Sequence, residues 1–124
     1  MDEQEKSPKT MLLEAYAWLE QPNDKRDDER CEFLFRQAID ARLYDGYVGL
    51  GKLALARGDY GKARLNFLSA CLYSLPEGQY QMGLLFRDGL GVKQSDDKAK
   101  GYLIAAKRAG HSRAAKALEN YPNS

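Results

Sequence analysis

The chain has 124 residues, 44% of them hydrophobic and 30% charged, with a formal net charge of +1. This balance fits one soluble globular domain and excludes a disordered polymer, and no apolar run approaches the roughly 20 residues that cross a bilayer. The polar, acidic stretch from Met1 to Pro8 is the wrong chemistry for a secretory signal, so a cytoplasmic location is expected.

In chain order, residues 1–8 read as a loose polar tail and 9–121 as one helical domain, with 122–124 a second short tail. A first helix is predicted from about Lys9 to Glu20, carrying Leu12, Leu13, Tyr16, Ala17 and Leu19, and Pro22 prevents its continuation. Asp27 or Asp28 then caps a second helix that runs through Cys31, Phe35 and Ala38 to about Leu43. A third helix spans Gly46 to Arg57. Gly58-Asp59 turns the chain into a fourth, which ends near Leu75. Helix five runs from Glu77 to Arg87, and Gly89 can take the left-handed conformation that closes it. Val92 is expected to tuck between the helices of this pair, and Ser95 or Asp96 opens a sixth helix ending at Gly110. A seventh, from Ser112 to about Asn120, is polar enough on one face to be a cap.

The second helix of each pair aligns with its neighbours. Cys31, Ala63 and Ala99 coincide, followed four residues later by Phe35, Phe67 and Leu103 and seven later by Ala38, Ala70 and Ala106; the spacings are 32 and 36 residues. Leu50-Gly51 and Met82-Gly83 mark the first helix of the later pairs. Small residues at fixed intervals let two helices approach closely, and a large residue one turn away fills the space between pairs. Since each pair leaves an apolar face uncovered, the pairs must stack.

Two sets of residues then carry a family resemblance. Tyr47, Leu50, Gly51, Gly58-Asp59-Tyr60, Ala63, Phe67 and Ala70 resemble a tetratricopeptide repeat. Met82-Gly83, Gly89-Leu90-Gly91-Val92, Asp96, Lys98-Ala99, Tyr102, Ala105-Ala106, Gly110-His111 and Ala114 resemble its relative, the Sel-1-like repeat. The first repeat departs from the pattern, with Glu14 and Ala15 where later repeats have Leu50-Gly51 and Met82-Gly83. The implied fold is all-α: a right-handed α-solenoid of about three helix–turn–helix repeats plus a C-terminal capping helix. The implied function is non-enzymatic protein binding by an adaptor, scaffold or assembly factor, bacterial and cytoplasmic. A dedicated chaperone or cognate inhibitor (immunity-type) of one partner is an alternative, and a structural homo-oligomer is another.

In such repeats the first helix of each pair lines the concave face. The resemblance therefore places Leu12, Tyr16, Val48, Lys52, Tyr80 and Leu84 there, with Arg87, Arg113 and Lys116 forming a basic end. This groove suits an amphipathic helix or extended peptide with an acidic portion. Charge is unevenly spread: residues 1–45 hold 12 acidic and 7 basic side chains (−5), residues 46–124 hold 6 and 12 (+6). Such asymmetry can also pair copies head to tail.

No catalytic residues, cofactor or metal ligands are assigned. Gly89-Leu90-Gly91 lacks the preceding strand and the lysine of a phosphate loop. Asp27-Asp28-Glu29 and Asp96-Asp97 lie at helix starts, where the macrodipole favours negative charge. Cys31, Cys71 and the single His111 are too few for a zinc site, and the cysteines read as unbridged core residues. His111 follows Gly110 at a helix junction, where packing or capping is its expected role. Near-neutral pI and the lack of a nucleic-acid signature argue against nucleic acid.

Overall fold

The structure, a computed structural model, describes residues 6–121. Its seven helices are α1 (Pro8–Leu19), α2 (Asp28–Asp40), α3 (Asp45–Ala56), α4 (Tyr60–Leu72), α5 (Pro76–Asp88), α6 (Asp96–Arg108) and α7 (Ala114–Leu118). There is no strand among the described residues. Each helix packs on the next, and α1 also touches α3, so the hairpins α1–α2, α3–α4 and α5–α6 stack as a helical-repeat solenoid with α7 against α6. The outer residues of the two expected tails, 1–5 and 122–124, lie outside the described residues.

Side-chain caps start four of the described helices, α1, α2, α4 and α6, and two of them, Asp27 and Ser95, are caps the sequence offers. Ser7 accepts from the Thr10 N–H at 3.1 Å, Asp27 from Arg30, Asp59 from Lys62 and Ser95 from Lys98, so the second helix of all three hairpins opens on a side-chain acceptor. The ends are less legible. After α2, α4 and α6 the same turn recurs: Leu43 N–H donates to Ala38 O (2.8 Å), Leu75 to Ala70 (3.2 Å) and His111 to Ala106 (2.9 Å). Each closing bond spans a residue of positive φ, which is Arg42, Ser74 or Gly110. The left-handed turns at Arg42 and Ser74 end α2 and α4 three residues short of the expected Leu43 and Leu75, and neither residue carries a glycine signal that would foretell it. The seventh helix is also shorter than Ser112–Asn120. Its five residues bury Ala114 and Ala117 and nothing larger.

The core follows the repeat register. Phe35, Phe67 and Leu103 are fully buried, and each rests against a residue with no side chain. A Cβ at Gly51 would lie 2.4 Å from the Phe67 ring, one at Gly83 2.8 Å from Leu103, and one at Gly49 2.1 Å from the Phe35 ring. Gly51 and Gly83 make this fit inside a hairpin, Gly49 between hairpins. The missing β-carbons are what let α3 and α5 close onto their neighbours.

The loop of the third hairpin is fastened at two points. Gly89 (φ +69°) closes α5, with Leu90 N–H donating to Leu85 O at 3.0 Å. Gly91 (φ +71°) brings the backbone against α4, where a Cβ would lie 2.7 Å from Tyr60 O. Val92 packs half-buried on the cluster of Phe67, Met82 and Leu85, where α4 meets α5, and not simply between the two helices of its own pair. Gly91→Ala therefore meets both backbone strain and a collision with main chain. It should cost about 1–3 kcal/mol, read as a lowered thermal midpoint, whereas Ala at exposed Gly101 should not destabilise.

Candidate protein-binding surface

The first helices α1, α3 and α5 share one side of the stack, and the richest set of polar side chains lies at its C-terminal half. The centre of that set is Glu77, in the first turn of α5. Its carboxylate accepts from Gln81 Nε2 at 2.9 Å and lies 2.5 Å from His111 Nε2. Lys52 Nζ of α3 is 3.1 Å away and Arg113 Nη2, just before α7, is 3.3 Å away. One carboxylate thus ties together α3, α5 and the α6–α7 loop. Burial alone would push the Glu77 carboxyl up, but the hydrogen bonds from Gln81, His111 and Lys52 outweigh it and hold it at about 2.

His111 is half of this arrangement. Its Nδ1 accepts from the Arg113 N–H at 3.2 Å, so Nε2 carries the hydrogen aimed at Glu77. The ring stacks on Tyr80, with centroids 4.2 Å apart and planes 15° apart, and the Arg113 guanidinium lies 4.9 Å from the Tyr80 ring centre. The expected packing and capping role of this histidine is therefore what the geometry displays.

Beside it, Tyr80, Arg87, Arg113, Lys116, Glu119 and Asn120 surround a hollow of about 390 Å³. Arg87 makes a two-pronged contact with Asp88 at 2.8 and 2.9 Å. Lys116 is exposed and pairs with no acid among the described residues.

Four of the nine residues singled out from the sequence thus meet at one place: Tyr80, Arg87, Arg113 and Lys116. Lys52 joins them through Glu77. Leu84 packs half-buried on the neighbouring cluster of Tyr80 and Leu103. Tyr16 lies further along, donating to the Asp45 carbonyl at 3.3 Å and meeting the Phe35 ring edge-on at 5.1 Å; burial pushes its hydroxyl pKa up. Leu12, Val48 and Tyr80 are only 9%, 4% and 9% exposed, so they present almost no surface. Glu77 and Gln81 were missed. The only signal for Glu77 was an acid after Pro76, which reads equally as an ordinary first-turn carboxylate.

Among the described residues, no group of three or more His, Cys, Asp and Glu could hold a metal, and Cys31 and Cys71 are both free. Burial pushes both thiols above their ordinary pKa, Cys71 to about 11, which makes them poor nucleophiles. No described helix is long and apolar enough to cross a membrane.

These features define a helical-repeat module with a polar, basic hollow. No family model matches the chain, and no solved structure matches it. Among curated proteins it is similar to "Putative beta-lactamase HcpE" of Helicobacter pylori (strain J99), 31% identical over 64 residues. That match takes in 48% of this chain and 18% of the relative, so the chain spans less than a fifth of that protein's length.

Proposed function

We propose that this chain is a non-enzymatic protein-binding module of the Sel-1-like and tetratricopeptide kind, acting as an adaptor, scaffold or assembly factor. Its site is the first-helix face from Tyr16 through Lys52 and Leu84 to the C-terminal hollow. The carrying observation is the convergence of Arg87, Arg113 and Lys116 with the edge of Tyr80 around one hollow. Lys116 pairs with no acid among the described residues, and Arg113 shares Glu77 with three other donors. A helix or extended peptide that presents a carboxylate there, with an apolar residue towards Leu84, gains charge-assisted hydrogen bonds. The Glu77 network orders Arg113 before binding, so the entropy lost on binding falls mainly on Lys116.

An array of short peptides with and without carboxylates, followed by fluorescence anisotropy on the best binder, tests this. Lys116→Glu with Arg113→Ala should weaken the best acidic peptide at least tenfold, about 1.4 kcal/mol or more, and leave the circular dichroism unchanged. Equal binding by the double variant would remove the hollow from the site. The beta-lactamase name belongs to the relative. Here it supplies a control: the purified chain should leave nitrocefin unhydrolysed, and hydrolysis abolished by a single substitution would overturn the non-enzymatic reading.

A further inference from the structure

The opposite side of the stack, formed by the second helices, holds a larger groove. Between α4 and α6, floored by α5, Gln79, Phe86, Lys98, Gly101, Tyr102 and Ala105 line a space of about 490 Å³. Phe86 and Tyr102 stack along it, 5.7 Å between centroids and 10° between planes, and Lys98 Nζ lies 5.4 Å from the Phe86 ring centre. Two features are unexplained by the fold of a single copy. Gly101 sits in the interior of α6, where glycine weakens a helix more than any residue but proline, yet a Cβ there would meet nothing within 4 Å. Beneath the groove, Gln79 Oε1 is shielded from solvent without a hydrogen-bond donor among the described residues.

Gly101 and Ala105 lie on one face of α6, with Lys98 at one end and Arg108 at the other. They form a smooth floor between two cations, neither paired with a described acid. The exposed face of α2 carries the complement. Phe33 is 60% exposed, flanked by Glu29 one turn before it and Asp40 two turns after, both exposed and both without an ion pair among the described residues. Arg36, between them, is already matched to Glu32 at 3.4 Å. Glu29 to Asp40 spans about 16 Å of helix, and Lys98 to Arg108 about 15 Å. With Glu29 against Lys98, Phe33 falls about 6 Å along, over the gap between Gly101 and Ala105. The −5 and +6 halves of the chain have the matching signs.

We infer that the α4–α6 groove is a docking site for α2 of a second copy of this chain, Phe33 seated between Phe86, Tyr102 and the bare Gly101, and the two acids meeting Lys98 and Arg108. The two surfaces differ, so the contact is heterologous. It lies on the other side of the stack from the proposed partner site and does not depend on it.

Sedimentation across a concentration series tests this with three samples: wild type, Phe33→Gln, and Gly101→Leu, which fills the groove without touching the fold. Wild type should associate reversibly, less so as salt rises. Each variant should keep wild-type circular dichroism and lose association at least tenfold. An equimolar mixture of the two variants should recover a two-copy species and stop there, since each brings one working surface. A wild type that stays at one chain's mass up to millimolar concentration would overturn the assignment. So would variants that associate normally, or a mixture that recovers nothing.

Discussion

Phe67→Ala should remove about 3–5 kcal/mol of stability, the range for truncating a buried aromatic ring. The ring is fully buried where α3, α4 and α5 meet, in a cluster with Ala54, Ala63, Met82 and Leu85. Its neighbour Gly51 has no side chain to swing into the space. A domain of this size has roughly 5–15 kcal/mol in total, so the variant should sit near its limit, its urea midpoint lowered by roughly 2 M. The central hairpin also couples the first to the third, so the unfolding transition should broaden or split as the repeats separate. Adding Gly51→Ala gives a sharper reading. On the wild type that β-carbon strikes the Phe67 ring and should cost about 1–3 kcal/mol. On Phe67→Ala it enters the vacated space and should cost much less. Additive losses would mean that Gly51 and Phe67 do not face each other.

Glu77→Gln should have the second largest effect. The amide keeps an oxygen for His111 and the shorter Arg113 contact but turns an NH2 group towards Lys52 and Gln81, and it removes the charge that holds both cations, so one substitution loosens α3 and weakens the hold of α5 on the α6–α7 loop. We expect about 2–3 kcal/mol, or roughly 5–10 °C in Tm. The wild type should show the same group in its pH dependence. The folded carboxyl is held at about 2 against an ordinary 4.5, so the unfolded chain binds the proton more readily between those values. Its stabilisation is therefore complete above about pH 5 and is lost as pH falls from 4.5 towards 2. With a side chain 22% exposed, about 2–3 kcal/mol is an upper range for that loss. Chemical denaturation at pH 6 and pH 3 should show the drop in the wild type and a much smaller one in Glu77→Gln; equal slopes would remove Glu77 as the hub.

How much of this was legible in the sequence varies by the kind of interaction. The capped starts of α2 and α6 were, because a cap is local: Asp27 and Ser95 act on residues three positions on, as Asp59, read only as part of a turn, does for α4. The register of the second helices was, because Ala63 with Phe67 and Ala99 with Leu103 recur at the same four-residue offset; that Phe67 would meet Gly51 and Leu103 Gly83 was not. Helix ends at Arg42 and Ser74 were not, since a left-handed non-glycine residue has no signature of its own. The Glu77 network was not, because its ion partners lie 25, 34 and 36 positions away and meet only once the hairpins stack. The family resemblance placed Leu12, Val48 and Tyr80 on a lining face. A resemblance gives a helix face but not how far the neighbouring helix covers it, and these three are covered.

The most direct measurement is quantitative affinity capture from the source organism's lysate, comparing immobilised wild type with folded Arg113→Ala/Lys116→Glu. The account predicts at least one protein retained by the wild type and depleted at least tenfold on the variant, which then binds the purified wild type through an acidic segment. Identical capture by both would contradict a binding site at the C-terminal hollow, and retention of no protein by either would contradict the binding module itself.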